Sequence, residues 1–208
     1  MALLKANRVK MKKIFLCDKL IRDKVQSLNN DQRIEGVYRV LGLAERATYA
    51  KKKILEEAQE VLDDIHHHDK VHALSELADI VQAAQALLEL NNQPNFDFFA
   101  SPILKNFLDQ TQTAHESELD IAQHLVKQAE ILQETPTLER EIINLCLTVI
   151  KATKALDYTE DDLKKEFARK QQIKGVFKTW TCLSQITLSQ EHPKYLHYSQ
   201  RYPMLDLS

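Results

Sequence analysis

Glycine occurs only three times in this 208-residue chain and proline five times. So few breakers, set among many Leu, Ala, Glu, Lys and Gln residues, argue against a chain cut by frequent turns and favour an all-α fold. Cysteine is almost as scarce. Cys17, Cys146 and Cys182 are odd in number and widely spaced, which excludes a disulfide framework or a thiolate zinc site and points to reduced thiols in a cytoplasmic setting. A basic excess is missing too. The formal net charge of −2 excludes a general nucleic-acid binder, which needs a basic footprint. No apolar run reaches the ~20 residues of a membrane span. The IFLC patch near the N-terminus is too short for a signal-peptide core, and no clear small-residue cleavage site follows it. No G-x-x-x-x-G-K-S/T loop is present, which rules out a P-loop mechanism. Met11 opens a self-sufficient start, so residues 1–10 are expected to be an extension without a structural role.

What the chain has is charge, 28% of its residues, and its most informative acids lie in residues 55–79, LEEAQEVLDDIHHHDKVHALSELAD. Glu57/Glu60 and Glu76/Asp79 are each spaced i, i+3, which makes the two carboxylates of each pair neighbours on one helix face. The stretch His66-His67-His68-Asp69-Lys70 reads as a turn between two antiparallel helices, its histidines solvated. The legs from Glu60 to the turn and back to Glu76 are both roughly 9 Å at the helical rise, so both residues stand at the same height. Four carboxylates then converge where a divalent metal with oxygen ligands would fit. On the first helix the acids lie off the apolar stripe of Ile54, Leu55, Ala58, Val61, Leu62 and Ile65, as a solvated face would. The second helix is apolar almost all round, which makes it central. Carboxylates within it need a partner, either a cation or a Lys or Arg from another helix.

Residues 18–28, DKLIRDKVQSL, cluster Lys19, Arg22 and Lys24 around Leu20, Ile21 and Val25. They form either a short element with solvated charges or a phosphate clamp. Residues 29–43 are expected to be a loop around a short helical piece, with the long helix starting near Ala44. A linker follows at 91–102, where Phe96, Phe98 and Phe99 are expected to cap the core. Residues 124–132 and 139–156 echo the first hairpin, matching Glu130 to Glu60 and Glu141 to Glu76. Lys127 stands for Glu57 and Asn144 for Asp79, so 93–160 is expected to be a degenerate second hairpin that completes a four-helix-bundle-like core. After the acidic cap Glu160-Asp161-Asp162, a basic helix puts Lys170 and Lys174 on one face. Residues 1–178 would form the domain, and 179–208 an irregular tail packed on it through Tyr195, Tyr198 and Tyr202.

Taken together, KLIRDKV, LEEAQE, SELADI and KQQIKGVF resemble the KLVRDKI-type branch of the MazG-like, phosphoribosyl-ATP pyrophosphohydrolase-like superfamily. Its pattern is an acidic E-E-x-x-E block, an E-x-x-D block on the next helix and a basic segment ending R-G-G-F. The likeness spans roughly residues 14–90 and 165–178. It implies a Mg²⁺-dependent (or Mn²⁺-dependent) enzyme that splits a nucleoside triphosphate into monophosphate and pyrophosphate. By motif position, Glu57, Glu60, Glu76 and Asp79 would bind the metal. Glu56, Glu57 and Glu60 would serve catalysis, one of them deprotonating the attacking water. Lys19, Arg22, Lys24, Lys170 and Lys174 would meet the phosphates. The chain departs from the pattern at Lys174-Gly175-Val176-Phe177, which replaces R-G-G-F and falls about seventy residues late in the chain. The resemblance also implies a homodimer, or a monomer whose second hairpin replaces a partner subunit. The alternatives are a helical binding or regulatory protein that has lost turnover, and a hydrolase of another phosphorylated compound.

Overall fold

A computed structural model describes residues 12–91, 97–101, 116–135 and 138–205. Its elements run β1 (Lys12–Ile21), α1 (Val25–Asp31), β2 (Glu35–Val40), α2 (Leu43–His66), α3 (Lys70–Leu90), α4 (Glu118–Glu134), α5 (Leu138–Ala155), α6 (Glu160–Lys174), β3 (Thr181–Ser189), α7 (Tyr195–Arg201) and β4 (Met204–Leu205).

The first hairpin forms as its periodicity requires. The N-terminus of α2 is closed by Glu45, whose carboxylate accepts from the Gly42 amide at 3.0 Å. The N-terminus of α3 is closed by Asp69, which accepts from the His72 amide at 3.0 Å. His66, the last residue of α2, and His67 and His68 in the turn before α3 are exposed. The stripe of α2 is buried through Ile54, Ala58 and Val61, and α3 is buried on most of its circumference. Fully buried side chains such as Leu77, Ile80 and Leu87 each contribute about 1.5–3 kcal/mol of transfer free energy. Ser117 with Asp120 and Thr159 with Asp162 form capping boxes that start α4 and α6. Helix α4 packs on α2 and on α5, and α5 and α6 pack on α3, so α3 is central. The positions that match Glu57 and Glu60 in the second hairpin, Lys127 and Glu130, are exposed.

The chain is mostly helical but not all-α. An antiparallel four-stranded sheet, ordered β2-β3-β1-β4, accompanies the helices. Two stretches therefore differ from expectation. Residues 35–40, read as loop, form an edge strand whose Val37, Tyr38 and Val40 suit extended backbone. Residues 181–189, in the supposed irregular tail, form a central strand paired on both sides, with Leu20 opposite Cys182 and Arg39 opposite Cys182. One side of the sheet contributes Leu20 and Cys182 to the helical core. The other gathers Phe15, Ile21, Leu183 and Ile186 with Tyr198 of α7. Phe98 is buried and Phe99 stacks edge-on against it and against Phe167, at 4.9 and 5.4 Å, so both close the core as expected. Phe96 and residues 1–11 lie outside the described residues. The three cysteines are buried and free, and among the described residues no helix is long and apolar enough to cross a membrane.

Candidate functional site

The α2–α3 hairpin, the end of β1, the turn after α6 and one side of α7 surround one cleft of about 510 Å³. Its floor is acidic. Glu57 from α2 and Glu76 and Asp79 from α3 are all buried, and one carboxylate oxygen of each lies within 4.8 Å of the others. Glu57 lies off the apolar stripe of its helix and is still only 1% exposed.

Buried acids this close must be neutralised, and the chain does part of this itself. Lys53, one turn before Glu57, forms an ion pair with it and lies 3.2 Å from Glu56. Lys170 of α6 is buried. It reaches Asp79 at 2.8 Å and Glu76 at 3.5 Å, and donates to the Ser75 carbonyl at 2.5 Å. Arg22 at the end of β1 donates to Asp79 at 3.0 Å and to Gln82 at 2.7 Å. His72 bridges Asp64 at 2.7 Å and Glu76 at 3.3 Å. The requirement for a partner is thus met by lysines and an arginine from other elements.

The cluster still has a gap in its pairing. With the Glu57 and Glu76 carboxyls both charged, Glu57 Oε2 is buried without a hydrogen-bond partner. Burial, and then the facing Glu57 carboxyl, pushes the Glu76 carboxyl up to about 10, so Glu76 holds a proton at neutral pH. Burial alone would raise Glu57 as well, but Lys53 and the hydrogen bond with Glu76 outweigh it and hold Glu57 well below the usual carboxylate range. Two carboxyls sharing one proton is what like charges adopt at short range. A divalent cation is the other arrangement that relieves them.

The candidate residues divide clearly. Glu57, Glu76 and Asp79 come together. Glu60 lines the same cleft but is outside the cluster, in an ion pair with Arg201 of α7; burial and the nearby Glu57 raise its carboxyl. Glu56 stands at the mouth, 3.6 Å from Lys19. Lys19 donates to the Tyr202 hydroxyl at 2.5 Å and faces the cleft. Lys174, 3.7 Å from Asp79, does so too, and burial lowers its ammonium. Two of the residues expected at the phosphates stand away from the cleft lining. Lys170 is sealed against the carboxylates, only 3% of its side chain exposed. Lys24 is turned to the Gln172 carbonyl at 2.8 Å and does not line the cleft.

The K-G-V-F departure costs less backbone freedom than the sequence suggests. Gly175 takes φ +82° and ψ −159°, a region open essentially to glycine alone, and Val176 has no positive φ. The glycine that the turn requires is the one the chain has. Its carbonyl accepts from Gln82 at 3.0 Å, and Lys24 and Asp23 donate their amides to Lys174 and Val176. This ties Lys174 and Phe177 to the cleft.

Several residues of the site escaped sequence reading. Lys53 carries a local signal, since it is spaced i, i+4 from Glu57. Gln82 sits one turn after Asp79 but has no distinguishing pattern. Lys194, His197, Tyr198 and Arg201 form the α7 wall and arrive only through the fold. No family model, curated protein or solved structure matches this chain.

Proposed function

We propose that the cleft binds a nucleoside triphosphate together with a divalent cation, Mg²⁺ or Mn²⁺, and hydrolyses it to monophosphate and pyrophosphate. The observation that carries this reading is the buried cluster of Glu57, Glu76 and Asp79, converging from two helices with an unpartnered oxygen on Glu57. An all-oxygen donor set of this kind suits a hard divalent cation. Glu57, Glu76 and Asp79 would hold the ion, with Glu60 the fourth carboxylate in the cleft. When bound, the ion would offset the charge that builds on the phosphoryl group.

The chain's own residues do the rest. Lys19 and Lys174, both on the cleft wall, bind phosphate oxygens. Arg22 and Lys170 hold Asp79 in place rather than meeting substrate. Glu56, outside the cluster and reached by solvent, accepts the proton of the attacking water. Phe177 and Tyr198 supply an apolar wall for the nucleoside, in a cleft of the size that small molecules fill.

The test is a screen of nucleoside triphosphates with Mg²⁺, read as pyrophosphate release by the wild-type chain and by Glu57→Gln. Release by the wild type that is lost in Glu57→Gln supports the reading. Release of inorganic phosphate alone, or equal release from the variant, overturns it.

A second reading has its own support. Lys53, Lys170 and Arg22 already neutralise the buried acids, as in a scaffold that binds nucleotides and no longer turns them over. Calorimetry of nucleotide binding beside the same screen decides between them: binding without pyrophosphate release favours the scaffold.

A further inference from the structure

The C-terminal segment supplies cleft residues that the acidic and basic motifs do not include. Arg201 is the last residue of α7, and it forms an ion pair with Glu60, 141 residues earlier. Its backbone is pinned on both sides. Before it, Tyr198 is buried with its ring 6.3 Å from that of Phe15 of β1. After it, the Pro203 carbonyl accepts from the Leu16 amide at 2.9 Å, and β4 pairs with β1. The side chain itself remains 41% exposed, and its partner Glu60 19%. A fixed backbone with an accessible guanidinium allows the side chain to exchange one anionic partner for another without a loop having to move.

The surroundings favour such an exchange. Glu56, Glu57, Glu60, Glu76 and Asp79 are already matched by Lys19, Arg22, Lys53, Lys170, Lys174 and Arg201 across the cleft. Lys194, on the same wall as Arg201, makes no ion pair among the described residues, and burial, then the nearby Lys19, lowers its ammonium. With six cations set against five carboxylates, the cleft has little net pull on a free divalent cation. It has cations to offer a polyphosphate that brings its own cation, and Arg forks match phosphate oxygens well.

We propose that Arg201 is a phosphate-operated latch on Glu60: it covers the Glu60 carboxylate as the structure stands, and passes to the phosphate chain of the incoming nucleotide, which uncovers Glu60 for the cation. This rests on the cation-and-nucleotide reading of the cleft and adds the C-terminal helix to it, as the element that couples phosphate binding to cation binding.

The experiment measures two affinities on the full chain: Mn²⁺ alone, by electron paramagnetic resonance, and inorganic pyrophosphate with Mg²⁺, by calorimetry. Removing the latch should move them in opposite directions. Arg201→Ala should bind Mn²⁺ about threefold tighter, the scale of a part-exposed ion pair, and pyrophosphate about tenfold weaker, the scale of one charge-assisted hydrogen bond. Arg201→Lys should fall between. The Mn²⁺ gain must vanish in a Glu60→Gln background. Two affinities that fall together, that stay unchanged, or a Mn²⁺ gain that persists without the Glu60 carboxylate, overturns the latch. Wild-type Mn²⁺ binding that does not depend on Glu57 overturns the parent reading instead, so the two failures are separate.

Discussion

Lys170 Nζ lies 2.8 Å from Asp79 Oδ2, and both side chains are almost closed to solvent. The pair joins α6 to the middle of α3 and places the only cation that touches both Glu76 and Asp79 among the ion pairs of the described residues. Deleting one partner of a buried pair leaves the other uncompensated, at about 3–5 kcal/mol. Lys170→Met is therefore expected to lower the urea midpoint sharply. Saturating Mg²⁺ should restore part of that loss in the variant and change the wild type less. A variant as stable as the wild type would show that Lys170 does not neutralise the cluster.

Glu60 and Asp79 should separate when each is replaced by alanine. Asp79 is gripped by Arg22 and Lys170 in the interior, so Asp79→Ala strands two buried cations and should cost several kcal/mol. Glu60 faces the cleft in a part-exposed pair with Arg201, and Glu60→Ala should cost about 1 kcal/mol or less. On the proposed function both variants lose pyrophosphate release. Only Glu60→Ala does so with a melting temperature within about 4 °C of the wild type, which makes it the cleaner test of chemistry.

Stability should fall as pH rises, in the absence of divalent cations. Glu76 has its carboxyl raised from the ordinary 4.5 to about 10 by burial and by Glu57. The folded chain thus keeps a proton that the unfolded chain has lost. Its stabilising contribution is complete below pH 4.5 and fades as pH climbs towards 10. Glu76→Gln keeps the shape without the titration and should flatten this slope. Melting temperatures of both proteins between pH 5 and pH 10 check it, and parallel profiles would count against the shared proton.

Gly175→Ala is expected to cost about 1–3 kcal/mol, the range for a residue forced into a sparsely populated backbone region. An added Cβ would also lie 3.2 Å from the Lys24 backbone nitrogen. The turn carries Lys174 and Phe177 to the cleft, so affinity for Mg-pyrophosphate should drop as well. Val176→Gly should leave that affinity unchanged, since residue 176 needs no left-handed backbone.

The elements and residues readable from the sequence were those encoded within a few turns of one helix. The apolar period of 3.6 marked α2 and α3, the His66–His68 turn set their length, and the i, i+3 spacing aligned Glu57 and Glu76 with their neighbours. Such patterns depend only on helix geometry, which is local. The sheet was hidden because its strands pair with segments far away in the chain and the ladder of β1 shifts register between Leu16 and Lys19, where Asp18 takes a positive φ of 40°. Glu35 becomes a strand residue only by pairing opposite Thr187, and nothing near Glu35 encodes that partner.

The same division holds at the site. The sequence by itself pointed to acids of two adjacent helices at one height, with Glu60 level with Glu76; in the structure it is Glu57, nearly one turn earlier, that meets Glu76 and Asp79, while Glu60 pairs with Arg201. Tertiary structure alone decided what stands against each of them: Lys170 at Asp79, Arg201 at Glu60, and the open oxygen of Glu57. Electrostatic partners in an interior are chosen by distance in space, and chain position constrains that distance only over a turn or two of helix.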